Sequence, residues 1–257
     1  MVNINRVQLI ACGSASYAGK FGEYLIEELA GIPTRSDVAS EFRYRNPVLD
    51  KNLLSIFISQ SGETADTLAA LKIVKESGGL AIGVVNVVGS TLARDVGFGI
   101  YNHSGPEIAV ATTKAFTSQL VILVLIALFL GRQRKLSLDA GKTVVKELHL
   151  LPELVQTILD RRFEVQMLAK KYSNFNDFFV LGRKYSHPIA FEGALKLKEV
   201  CYSNANGIAA GELKHGSLTL VDEQFPTIAI CPSDSVYEKT FSNIQEIRAR
   251  GGPVIAI

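Results

Sequence analysis

Ser59-Gln60-Ser61-Gly62-Glu63-Thr64 packs three hydroxyls and an amide side chain into six residues. It follows the apolar run Leu53–Ile58, which suits a buried strand, and precedes a helical pattern from Ala65 to Ser77. A helix opens with backbone N–H groups that have no intrahelical partner, and the positive end of its dipole points the same way. A hydroxyl-rich strand-to-helix turn at that place suits an anion. A plain N-cap by Ser61 or Thr64 is the other reading of the same residues. Neither the Gly-Lys-Ser/Thr of a nucleotide loop nor a Gly-x-Gly-x-x-Gly fingerprint is present, so the anion expected is the phosphate of a small metabolite.

A second group lies far along the chain. Glu192, Lys196 and Glu199 are spaced by four and three, which puts them on one helical stripe about 60° wide. Lys196 can neutralise either carboxylate, and a solvated, salt-bridged face is the alternative to a catalytic one. Just beyond, Gly211-Glu212-Leu213-Lys214-His215-Gly216 sets a His and an acid between glycines, the composition of a functional loop.

The elements that must carry these groups alternate. Strands are expected at Val7–Cys12, Arg35–Ala39, Leu53–Ile58, Leu80–Asn86 and Gly97–Tyr101. Helices are expected from Gly13 to about Leu29, over Ala65–Ser77 and Thr91–Val96, and from about Thr113 to Leu130, with Glu41–Arg45 as a polar and aromatic loop. That order argues a doubly wound parallel α/β sheet. Asp139–Lys171 reads as an amphipathic helical connector broken at Pro152. The pattern then restarts. Asp177–Leu181, Gly182 and a helix from Pro188 to about Cys201 mirror the first strand and helix. Pro226–Ile230, a helix and Gly251–Ile257 mirror Leu53–Ile58, the helix after the hydroxyl turn and Gly78–Val84. The chain therefore contains a duplication, with domains at 1–136 and 173–257 around a connector at 137–172. The second copy has Cys231-Pro232-Ser233-Asp234-Ser235 where the first has its hydroxyl turn, and Asp234 would repel an anion, so one phosphate site is expected. This copy stops at what reads as its third strand, and the polypeptide looks truncated relative to its architecture.

Composition sets the bounds. Hydrophobic residues at 47%, charged residues at 20% and a net charge of +2 describe a soluble globular chain with no general pull toward nucleic acid. Cys12, Cys201 and Cys231 are scattered and odd in number, so neither a disulfide framework nor a zinc site is indicated, and cytoplasm is the default. Met1–Arg6 lacks the apolar core of a signal peptide. The run Leu120–Leu130 falls short of the roughly 20 residues that span a bilayer, and reads as a helix buried on all sides, within the domain or against a partner subunit.

Ser59–Leu68, Glu107–Phe116, Glu192–Glu199 and Gly211–Gly216 together resemble the isomerase domain of the glucosamine-6-phosphate synthase family, the glutamine:fructose-6-phosphate aminotransferases. The resemblance runs the whole length of the chain. It implies two tandem sugar isomerase (SIS) folds, the second incomplete, and a homodimer acting on fructose 6-phosphate and glucosamine 6-phosphate. Ser59, Gln60, Ser61 and Thr64 would hold the sugar phosphate, with Ser14 and Glu192 counted among the binding residues. Val110 and Thr112 would line the sugar pocket. Glu199 would move a proton between C1 and C2, Lys196 would assist, and His215 would open the sugar ring in the neighbouring subunit's site. Such aldose–ketose chemistry needs one well-placed carboxylate and no metal or cofactor. Two departures stand out. Ala15 replaces a hydroxyl carried by many relatives, and the family's glutaminase domain and C-terminal imine lysine are not in the sequence. A sugar-phosphate-sensing module, or an isomerase or deglycase for another phosphosugar, remains the alternative function.

Overall fold

The computed structural model describes residues 4–257, so Met1–Asn3, the first half of the N-terminal stretch Met1–Arg6, lie outside it. The chain divides into two compact units, residues 1–146 and 147–257. The first unit runs β1 (Arg6–Ala11), α1 (Gly13–Ala30), β2 (Thr34–Val38), α2 (Ala39–Phe42), β3 (Leu53–Ser59), α3 (Ala65–Glu76), β4 (Leu80–Val85), α4 (Thr91–Val96), β5 (Gly99–Tyr101) and α5 (Lys114–Arg132). All its strand pairs are parallel and the sheet order is β2-β1-β3-β4-β5, with Arg6 opposite Leu53 and Leu54 opposite Leu80. β3 is buried at every position, as a strand covered on both faces must be. On one face Ile10 and Phe57 pack with Phe42, Leu71, Val74 and Leu92 of α2, α3 and α4. On the other lie α1 and α5, which pack on each other.

Two expectations for this unit need correction. The segment taken as a polar loop at Glu41–Arg45 begins as helix, because Phe42 is fully buried in the core and drags its neighbours into a turn, while Arg43 reaches Asp66 at 2.7 Å. Within this unit the apolar helix is not buried on all sides. α5 extends beyond the run Leu120–Leu130 and is by length and composition apolar enough to cross a bilayer, yet Ile122, Leu123, Ile126 and Ala127 are buried. Leu125 and Phe129, one turn apart on its other face, are 46% and 67% exposed. The buried stripe against α1 makes it a core helix of this unit.

Next along the chain come α6 (Leu138–Asp160) and α7 (Arg162–Tyr172). The expected break at Pro152 does not occur. α6 runs through it, since Leu, Glu, Val and Lys on both sides are adequate helix formers and only one donor is lost, and the interruption falls at Arg161.

The second unit contains β6 (Asp177–Gly182), α8 (Ser186–Cys201), β7 (Asn204–Ala209), β8 (Thr227–Ala229), α9 (Tyr237–Ala249) and β9 (Val254–Ala256), in a parallel sheet ordered β7-β6-β8-β9. That is the order of the first four strands of the first sheet, so the last strand, read from sequence as the third of its copy, is the fourth. The strand not foreseen is β7, Asn-Ala-Asn-Gly-Ile-Ala. Its composition is poor for a strand because α8 lies directly on it: a Cβ on Gly207 would stand 2.6 Å from the Cα of Phe191. Phe178, Val180, Ala190, Ala194 and Ala205 close one side of this sheet, and Phe179, Leu181, Leu213 and Ile247 the other.

Candidate functional site

In a sheet ordered 2-1-3-4-5 the connections after β1 and β3 leave toward opposite faces, and the crevice outside their carboxyl ends is where such folds bind ligands. The hydroxyl turn occupies that position. Ser59 is 4% exposed and its Oγ accepts the Gly62 N–H at 2.9 Å, while the Ser61 Oγ accepts the Glu63 N–H at 3.2 Å. Both hydroxyls accept from the turn's own backbone, which leaves each O–H to donate. Thr64 stands at the N-cap of α3 without a side-chain cap bond. Gln60, Ser61 and Thr64 are partly exposed, and the first N–H groups of α3 lie beside them. Ser14 is buried in the first turn of α1, next to Ala15.

The turn is clamped from behind. The Val87 N–H donates to the Gln60 carbonyl at 3.2 Å, the Leu92 N–H to the Gly62 carbonyl at 2.9 Å, and the Thr91 N–H to the Glu63 carboxylate at 2.7 Å. The last bond, with the Thr91 hydroxyl and Arg94, holds the Glu63 carboxyl below its ordinary range. Gly62 has φ +67°, and a Cβ there would fall 2.1 Å from the Ser90 Oγ, so only glycine fits between the turn and α4.

Beside this turn the chain from Asn102 to Thr113 has no regular structure and is fastened at both ends. The Asn86 Oδ1 accepts the Ser104 N–H and hydroxyl at 2.9 and 2.8 Å, and its Nδ2 donates to the Gly105 carbonyl at 2.8 Å. A single oxygen of Glu107 accepts the Thr112 hydroxyl at 2.9 Å, the Thr113 N–H at 3.2 Å and the Ala115 N–H at 2.9 Å. Burial pushes the Glu107 carboxyl up, but these three bonds and the charge of Lys114 outweigh it and hold the group below the usual carboxylate range. Val110 is fully exposed and Thr112 half-buried. Neither Asn86 nor Glu107 was singled out from sequence. Glu107 opens the motif Glu107–Phe116 that carries the family resemblance, but no role was given to it, and an acidic residue shortly before a helix start is common.

The remaining candidates belong to the second unit. The spacing of Glu192, Lys196 and Glu199 yields the expected cluster on α8: the Lys196 Nζ lies 3.3 Å from the Glu192 carboxylate and 2.6 Å from that of Glu199. The two acids differ in environment, with side chains 7% exposed for Glu192 and 33% for Glu199. One ammonium between two carboxylates leaves a net negative charge, and its outward member is Glu199, the one able to meet a ligand. His215 is exposed on a loop anchored by the fully buried Leu213, and its N–H donates to the Glu212 carbonyl at 3.0 Å. Lys214 pairs with Glu246 of α9 at 2.8 Å, and Arg183 donates to Asn243 of the same helix at 3.0 Å. After β8, the Asp234 carboxylate accepts the Val236 N–H at 2.9 Å in place of the hydroxyls of the first copy. Burial and Asp234 together push the Cys231 thiol up.

The sequence profile of the SIS domain matches residues 1–129 and 171–257. A Thermus thermophilus protein named glutamine–fructose-6-phosphate aminotransferase (isomerizing) is 51% identical over 255 residues, which are 99% of this chain and 42% of that protein. Its namesake from Chlorobaculum tepidum is 48% identical over 98% of this chain and 41% of its own length. The chain thus spans about two fifths of the curated relatives it matches. Among solved structures, the C-terminal domain of glucosamine-fructose-6-phosphate aminotransferase from Francisella tularensis matches with a TM-score of 0.96 at 39% identity, over 98% of this chain and 72% of that one. A glucosamine-6-phosphate deaminase from Thermotoga maritima shares the fold, with a TM-score of 0.83 at 22% identity over 98% and 76% of the two chains. With the profile matched in both units and the Francisella domain matched along nearly the whole chain, this polypeptide belongs to the SIS domain family, in the branch formed by the C-terminal domains of glucosamine-fructose-6-phosphate aminotransferases.

Proposed function

We propose that the chain is the isomerase portion of a cytoplasmic, homodimeric glutamine:fructose-6-phosphate aminotransferase. It binds fructose 6-phosphate by its phosphate and, once C2 carries nitrogen, moves a proton from C1 to C2 to yield glucosamine 6-phosphate. The observation that carries the reading is the clamped turn Ser59–Thr64 at the start of α3, where Gln60, Ser61, Thr64 and free helix N–H groups can receive a phosphate, with Ser14 on the neighbouring turn. Val110 and Thr112 line the sugar pocket. Glu199 is the general base and then acid, supported by Lys196 and the buried Glu192. His215 opens the ring, reaching the site of the second subunit. Proton transfer between adjacent carbons needs a single carboxylate as base and then acid, so no metal or cofactor is called for. The Lys196-bridged pair of acids favours an enzyme over a module that only senses sugar phosphate, since binding alone has no use for a second, outward carboxylate.

Calorimetric titration with fructose 6-phosphate tests the reading. Ser61→Ala and Thr64→Ala should each weaken binding by about 1.5–3 kcal/mol, the range for a hydrogen bond to a charged group. Unchanged affinity in both variants would place the phosphate elsewhere.

A further inference from the structure

The segment Ile108–Thr112 poses a problem of its own. Ile108 and Val110 are 95% and 101% exposed, so no apolar contact holds the tip of the loop. The helix it leads into lacks an ordinary cap: Thr113, at the N-cap of α5, has φ −133° and ψ −70° and makes no side-chain cap bond. Glu107 supplies both deficits. Its Oε1 takes the Ala115 N–H, the bond a capping residue would accept, together with the Thr113 N–H and the Thr112 hydroxyl. One carboxylate oxygen therefore ties the start of the segment to its end, closing it into a ring.

We propose that Glu107 is a positioning residue for sugar selectivity: it straps the Val110–Thr112 segment in the shape that receives the sugar carbons and has no part in holding the phosphate. The inference rests on the proposed phosphosugar site. Its logic is one of separation. The phosphate turn is fastened to Val87 after β4 and to Thr91 and Leu92 at the start of α4 through Gln60, Gly62 and Glu63, and none of those bonds involves Glu107. Loss of the strap releases the Thr112 hydroxyl and the first turn of α5 while the anion turn keeps its own supports. A glutamine at position 107 retains an oxygen that can accept the same three bonds, although as an uncharged and weaker acceptor.

The test compares fructose 6-phosphate with inorganic phosphate by calorimetry on the full chain. Glu107→Ala should weaken fructose 6-phosphate about tenfold or more and leave inorganic phosphate within about twofold, and Glu107→Gln should keep fructose 6-phosphate within about threefold of wild type. Should Glu107→Ala fail to fold, Glu107→Asp, whose carboxylate is one methylene short, carries the same split. If folded Glu107→Ala, or Glu107→Asp in its place, loses both ligands in parallel or keeps the preference for the sugar phosphate, the inference falls while the site stands. If wild type itself has no preference for fructose 6-phosphate over phosphate, the reading of the sugar site falls and takes the inference with it.

Discussion

Gly62 concentrates the constraints on the hydroxyl turn into one missing methyl group. Alanine there must adopt φ +67°, which disfavours an L-residue by about 1–2 kcal/mol, and must also displace Ser90, whose Oγ lies 2.1 Å from the new carbon. Gly62→Ala should therefore lower the urea midpoint and weaken phosphate binding together. Adding Ser90→Gly should recover most of the steric part, with Val85 Cγ1 still 2.9 Å from the new carbon, and leave the conformational part. Full recovery would mean that backbone strain is not an issue at this position. The sequence displays Gly62 and the hydroxyls around it plainly, yet not their division of labour. Ser59 and Ser61 have the same side chain two residues apart, and only burial separates the one that builds the turn from the one left at its surface. The same holds for Glu192 and Glu199. Helical spacing alone predicts that both meet Lys196, but which acid is sunk in the unit depends on what α8 packs against.

Strands rich in Ile, Val and Phe were readable because a sheet covered on both faces demands near-continuous apolar runs, as β1 and β3 have between their end residues apart from Gln8 and Ser55. β7 was not, because closeness to α8 selects Gly207 and small neighbours over the residues that usually announce a strand. The connector was readable as helix and misread at its break, since the effect of a proline depends on how well its surroundings hold the helix without that bond. α6 is exposed along most of its length, with Gly141 its sole buried residue among those described. Tertiary packing therefore does little to offset Pro152, and Pro152→Ala should strengthen the helix by up to about 3 kcal/mol. Slower amide exchange around Leu148 to Gln156 would register the gain. Unaltered exchange would mean that the missing donor at 152 does not limit the helix.

Two units that share one order over their first four strands, each with its own core, account for the tandem pattern in the sequence, and the second carries Asp234, between Ser233 and Ser235, where the first has its hydroxyl turn. The strapped loop has a different consequence. Ile108, Ala109 and Val110 stand in solvent in an otherwise folded unit, which makes them the natural entry point for a protease that prefers small apolar residues. One nick there should leave two polypeptides that separate under denaturing conditions and travel together otherwise, because α5, beyond the cut, remains packed on α1, before it. Cleavage needs the backbone to open, so its rate counts how often the ring is undone. Cutting should be slow in the wild type, slower still with fructose 6-phosphate bound, and fast in Glu107→Ala.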